Sequence, residues 1–92
     1  MSMQRRIERK ITEALSPVRL EIVDESARHA GHAGHRPGGE THFRVTVVSG
    51  AFEGLNRVAR QRLVYGLLQE ELAERVHALT LVTLAPGENS AV

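Results

Sequence analysis

Residues 42–49 alternate as a strand with one buried face does. Phe43, Val45 and Val47 fall on one side, and His42, Arg44 and Thr46 on the other. Residues 76–84, Val-His-Ala-Leu-Thr-Leu-Val-Thr-Leu, make a later run rich in β-branched residues and leucine. Between them lie a turn from Gly50 to Gly54 and a helix-length amphipathic segment, about 56–73. Strand, helix and strand in that order have one economical solution. The helix crosses over the sheet, the two strands lie parallel, and the connection is right-handed.

The remainder must fit around that unit. Ile7, Ile11 and Ala14/Leu15 recur at helical spacing within residues 3–15, with Arg5, Arg6, Glu8, Arg9 and Lys10 on the other face. Ser16-Pro17 stops this helix. Residues 18–25 read as a strand with Val18, Leu20 and Ile22 on its apolar face, returning antiparallel to 42–49. The order is α-β-β-α-β. The fold expected is α+β, a three-stranded mixed sheet with its helices packed on one face. In the long helix, Leu55, Val58, Ala59, Leu63 and Leu67 mark one apolar sector, and Val64, Leu68 and Leu72 another. The shift predicts a kink, or two shorter helices, near Tyr65-Gly66.

Ninety-two residues suit one domain, expected over residues 1–86, with 87–92 a frayed tail. The core must be aliphatic, because Phe43, Phe52 and Tyr65 are the only aromatic residues. No apolar run approaches membrane-spanning length, and a cytoplasmic location is expected, without membrane partners. The net charge of +1 is not the strongly basic balance of a dedicated DNA binder. The chain has no cysteine, hence no thiol nucleophile and no all-cysteine metal site. Any iron or zinc here would need histidine, with further ligands from elsewhere.

Histidines are the chemistry the chain does carry. Residues 26–41 contain His29, His32 and His35 in a short His-Ala-Gly repeat, too long for a simple hairpin turn. Topology puts this segment at the end of the sheet where the last strand begins, so His77 is expected beside it. If Leu79 and Leu81 point into the core, strand parity turns His77 inward at the rim as well. His42, on the outward strand face, reads as a surface residue.

Several stretches resemble the BolA family: Val23-Asp24-Glu25-Ser26, Arg28-His29, Glu40-Thr41-His42-Phe43, Val48-Ser49, Phe52 with Gly54, Glu70-Glu71-Leu72 and Val76-His77-Ala78-Leu79. The resemblance implies a fold similar to the type II KH domain. It also implies partnership with a monothiol glutaredoxin in a heterodimer that shares a [2Fe–2S] cluster. Thiolates would come from the glutaredoxin and from glutathione, and histidine from this chain. By that resemblance His77 matches the C-terminal ligand and His29 the loop ligand, with His32 and His35 as alternatives. The isolated chain is expected to bind no cofactor tightly and to be a monomer.

Two other readings stand beside this one. The family is also described as transcriptional regulators, and Arg57, Arg60 and Arg62 are candidate phosphate contacts on DNA. A standalone metal-binding protein built on the histidine loop is the third. Gly31-His32-Ala33-Gly34 spells the GXXG of KH domains, but in a β-hairpin loop rather than between helices. No catalytic constellation emerges. Glu70 and Glu71 are adjacent on a helix and point apart, and Ser26 and Ser49 lack triad context. The chain is therefore expected not to be an enzyme.

Overall fold

A computed structural model describes residues 2–25 and 41–88. The elements follow in the expected order: α1 (Met3–Leu15), β1 (Arg19–Asp24), β2 (His42–Val48), α2 (Arg57–Leu67), α3 (Gln69–Glu74) and β3 (Ala78–Leu84). The sheet order is β1-β2-β3. β1 runs antiparallel to β2, from Arg19 opposite Val48 to Asp24 opposite Phe43. β3 runs parallel to β2, from His42 beside Ala78 to Val48 beside Leu84.

One sheet face carries the core. Phe43, Val45 and Val47 are buried at its centre, and Leu81 is buried beside them. α1 adds Met3, Ile7, Ile11 and Leu15, each four residues from the next, so a single stripe faces the sheet. Ala14 is exposed and takes no part in that stripe. Val18 precedes β1 and is 72% exposed, outside the apolar face expected for it. The other sheet face forms a hollow of about 470 Å³ lined by residues that include Arg19, Glu21, Arg44, Val48, Val82 and Leu84.

The crossover is two helices, as the shifting stripe implied. The break falls at Leu68 rather than at Tyr65-Gly66. The Leu68 side chain is buried, and its N–H is shared by the carbonyls of Val64 (3.1 Å) and Tyr65 (3.2 Å). This tightened last turn lets the chain change direction without releasing Leu68 from the core. Val58, expected in the apolar sector, is instead 59% exposed.

Polar groups hold the helix ends. Ser16 adopts a left-handed conformation (φ 43°) and its N–H returns to Thr12 O, closing α1 ahead of Pro17. Buried Ser49 does two jobs. Its hydroxyl donates to Leu15 O at 2.6 Å, and its oxygen accepts the Ala51 N–H at 3.1 Å. It thus satisfies a terminal carbonyl of α1 and starts the 3-10 turn Gly50–Phe52. Gly54 completes the turn with φ +80°, a conformation that favours glycine.

An ion cluster ties α1 to α3. Glu71 is fully buried, yet Arg6 Nη2 lies 2.9 Å from its carboxylate and Lys10 Nζ also 2.9 Å. Lys10 reaches Glu70 as well, at 3.0 Å, and Arg6 pairs with Glu74. The two neighbouring glutamates therefore meet through one lysine, although they were expected to point apart. Burying a carboxylate is costly unless it is paired, and here α1 brings both cations.

Two carbonyls at the outer edge of β3 are taken by side chains from α2. Tyr65 Oη donates to Leu79 O at 2.9 Å, and Arg60 Nη1 donates to Thr83 O at 3.2 Å. An edge strand with occupied carbonyls is a poor template for another chain. Arg60 also donates to Leu55 O, lies over the Phe52 ring, and grips Glu88 through two bonds of 2.6 and 3.0 Å.

Two consequences can be measured. Ser49→Ala leaves the Leu15 carbonyl buried without its donor, and a loss of about 1–3 kcal/mol in urea unfolding is expected. The Arg60 guanidinium, with help from the Ala85 N–H, lowers the Glu88 pKa from 4.5 to about 2. A folded-state value below the unfolded one stabilises the protein above about pH 4.5, and that gain disappears as pH falls toward 2. Arg6 lowers the Glu74 pKa and acts in the same direction. Stability measured against pH should decline through this window, and Glu88→Gln should flatten part of the decline.

Candidate functional site

The segment between β1 and β2 leaves and rejoins the sheet at one place. Glu25 N–H donates to His42 O at 2.7 Å, so the flanks of the segment are hydrogen-bonded to each other. The start of β3 lies on the other side of β2, with Ala78 beside His42. Its preceding residue is His77. One end of the sheet therefore gathers both ends of the histidine segment and the last histidine of the chain. His29, His32 and His35 themselves lie outside the described residues.

His77 does not sit as strand parity implied. β3 begins at Ala78, and His77 is exposed, while its neighbour Val76 is buried. The cause is local. The N–H groups of His77 (2.7 Å) and Ala78 (3.2 Å) both donate to Thr41 O. Two N–H groups thus share one carbonyl just where the β2–β3 pairing begins. The His77 main chain is anchored, and its imidazole is left at the surface.

The structure also brings in a residue that the sequence reading set aside. His42 is half-buried on β2, and its ring centroid lies 6.3 Å from that of His77, with 39° between the planes. His42 Nδ1 is 2.9 Å from the hydroxyl of Thr41, which is fully buried. The signal was available: His42 opens β2, and a parallel partner must begin at the same end. Assigning His42 to the outward face concealed it, because residues on neighbouring strands share that face.

What this edge offers chemically is imidazole nitrogen. Among the described residues, no three histidine, cysteine, aspartate or glutamate side chains are grouped to hold a metal ion. A pair of imidazoles with one ring exposed suits a metal centre whose remaining ligands arrive on another molecule. In a chain without cysteine, thiolate ligands can come only from outside. The donor set thus fits one half of a mixed histidine and thiolate site.

The arginine candidates separate. Arg57 and Arg62 are exposed on α2. The Arg60 side chain is only 11% exposed and is engaged by Leu55, Thr83, Glu88 and Phe52. Among the described residues, no helix is long and apolar enough to cross a membrane.

Comparison with known proteins agrees with this fold. The family model described as BolA-like protein matches residues 11–88. The chain is 51% identical over 86 residues to the chloroplastic protein BOLA1 of Arabidopsis thaliana, covering 91% of this chain and 54% of that protein. It is 47% identical over 83 residues to the DNA-binding transcriptional regulator BolA of Escherichia coli, covering 90% of this chain and 75% of that one. Among solved structures, the BolA domain of SufE1 from Arabidopsis thaliana superposes with a TM-score of 0.87 at 46% identity, covering 97% of this chain and 98% of that one. The chain thus spans about half the length of the curated plant BOLA1, but nearly all of the SufE1 domain. With its α-β-β-α-β order, its sheet register and this similarity along nearly its whole length, the chain belongs to the BolA-like family.

Proposed function

We propose that this protein is a metal-cluster partner: it supplies histidine to a [2Fe–2S] cluster that a monothiol glutaredoxin and glutathione hold by thiolate. The observation that supports the reading best is the sheet end where exposed His77 stands beside His42, at the same end as both flanks of the 26–40 segment. His77 would be one ligand, and the second imidazole would come from His29, with His32 and His35 as alternatives. Such a cluster supplies one-electron chemistry and a unit that can be passed on. Histidine in place of thiolate on one iron raises its potential. This chain's own part is to present imidazole from an anchored backbone, so that the cluster meets a fixed edge rather than a free tail.

The E. coli relative's name supports a second reading, regulation of transcription by binding DNA. Exposed Arg57 and Arg62 would carry the phosphate contacts, with Arg60 holding α2 to the sheet.

The first reading is tested by reconstituting the protein with a monothiol glutaredoxin, glutathione, iron and sulfide. The visible absorption and circular dichroism should differ from those of the glutaredoxin alone, and His77→Ala should abolish the difference. Identical spectra for wild type and His77→Ala would sink the ligand assignment. For the second reading, duplex DNA affinity should fall steeply with salt, and Arg57→Ala/Arg62→Ala should reduce that slope by up to about two charges. Salt-independent binding, or a slope unchanged in the double variant, would remove those residues from consideration.

A further inference from the structure

The helices pack on one face of the sheet, and the hollow of about 470 Å³ lies on the other. Strand register lays out this outer face. Arg44 stands between Val23 of β1 and Thr80 of β3. Two residues on, Thr46 lies between Glu21 and Val82, and two further on Val48 lies between Arg19 and Leu84. Val48, Val82 and Leu84 thus make one apolar corner, while Val23, 50% exposed, flanks Arg44. The charges are not equally satisfied. Arg19 pairs with Glu21 at 2.7 Å, and Glu88, at the rim, is held by Arg60. Arg44 is exposed and has no hydrogen bond or ion pair among the described residues. Of the described charged residues that line the hollow, it alone lacks a counter-charge.

We infer that this face is a docking surface for an amphipathic helix of another protein, one that carries an acidic side chain next to aliphatic ones. The free guanidinium calls for a carboxylate, and the apolar corner for aliphatic side chains. Shape selects the helix. The hollow is open, so a small molecule laid in it would keep much of its surface in water. An added strand joins a sheet at its edge, through its main chain, and not at its face. The outer strands of a three-stranded sheet are about 10 Å apart, close to the width of one helix. α1 already packs on the opposite face in this manner. Length fits as well. A helix with its carboxylate over Arg44 reaches Val82 about one turn on, and Val48 and Leu84 about two turns on. A second copy of this chain fits poorly. A twofold axis along β2 sets Arg44 against Arg44, and one across the strands at Thr46 sets Glu21 against Glu21. The histidines take no part in this surface, so it stands or falls apart from the cluster reading.

The test is an amide NMR titration of the full chain with a synthetic helical peptide. The probe is built of alanine and leucine, with one glutamate on the leucine face, and a twin has glutamine in its place. Amide shifts should move at Val23, Arg44, Thr46 and Val82, and the glutamine twin should bind about two- to five-fold more weakly. Arg44→Gln should bind both peptides equally, and Arg44→Glu should prefer a lysine-bearing twin. Both substitutions change an exposed side chain and leave the core intact. No saturable shifts at this face, or a glutamate preference that persists in Arg44→Gln, overturns the inference. Concentration-dependent shifts of the same amides without peptide, with a dimer in sedimentation velocity, assign the face to a second copy and overturn it too.

Discussion

Among the described residues, β2 is the only strand with a neighbour on each side, and its register decides where the other elements lie. Its antiparallel pairing with β1 brings Glu25 back to His42. Its parallel pairing with β3 sets Ala78 beside the same His42. Because the side-chain period of a strand is two residues, a slip of one position would turn Phe43, Val45 and Val47 out of the core. The buried face therefore holds the register, and the register in turn assembles the histidine edge. Packing and site are one constraint here: the residues that make the core also aim the surface chemistry.

Buried polar groups do the remaining fastening. Ser49 closes α1 and opens the turn after β2, so helix end and strand end are joined through one hydroxyl. Glu71 gathers Arg6 and Lys10 from α1 and binds it to α3. Arg60 connects α2, β3 and the chain after β3. In a domain this small the apolar core is limited, and buried polar groups that are all satisfied help specify one arrangement of helices over the sheet. Several of these residues belong to the stretches that carry the family resemblance. Ser49, Glu71 and Thr41 have clear physical work that needs no direct part in function.

The division between rigid and accessible parts suits an interaction module. At one side of the sheet, β3 has its outward carbonyls at Leu79 and Thr83 occupied by Tyr65 and Arg60. At its starting end, the main chain of His77 is anchored while its imidazole faces outward. A partner that brings thiolate ligands would meet a donor whose backbone entropy has already been reduced by folding, which lowers the cost of association.

Element order, strand directions and the gathering of His77 with the two flanks of the histidine segment were legible from the sequence, because they follow from hydrophobic period and from the length needed to cross a sheet. The split of the long helix was legible too, as a shift of the apolar stripe, but its position at Leu68 depended on which leucine the core would hold. The side-chain details were not legible. Parity alone turned His77 inward, but β3 begins at Ala78, and His77, one residue earlier, is exposed. Arg60 stood with Arg57 and Arg62 as a phosphate candidate, and only the approach of Phe52, Thr83 and Glu88 showed its guanidinium engaged within the fold. By itself, then, the sequence determined the fold and the end of the sheet where histidine collects, since period and connectivity are local properties. Tertiary structure alone decided that His42 lies beside His77, since that contact joins the starts of neighbouring strands through a register that core packing selects.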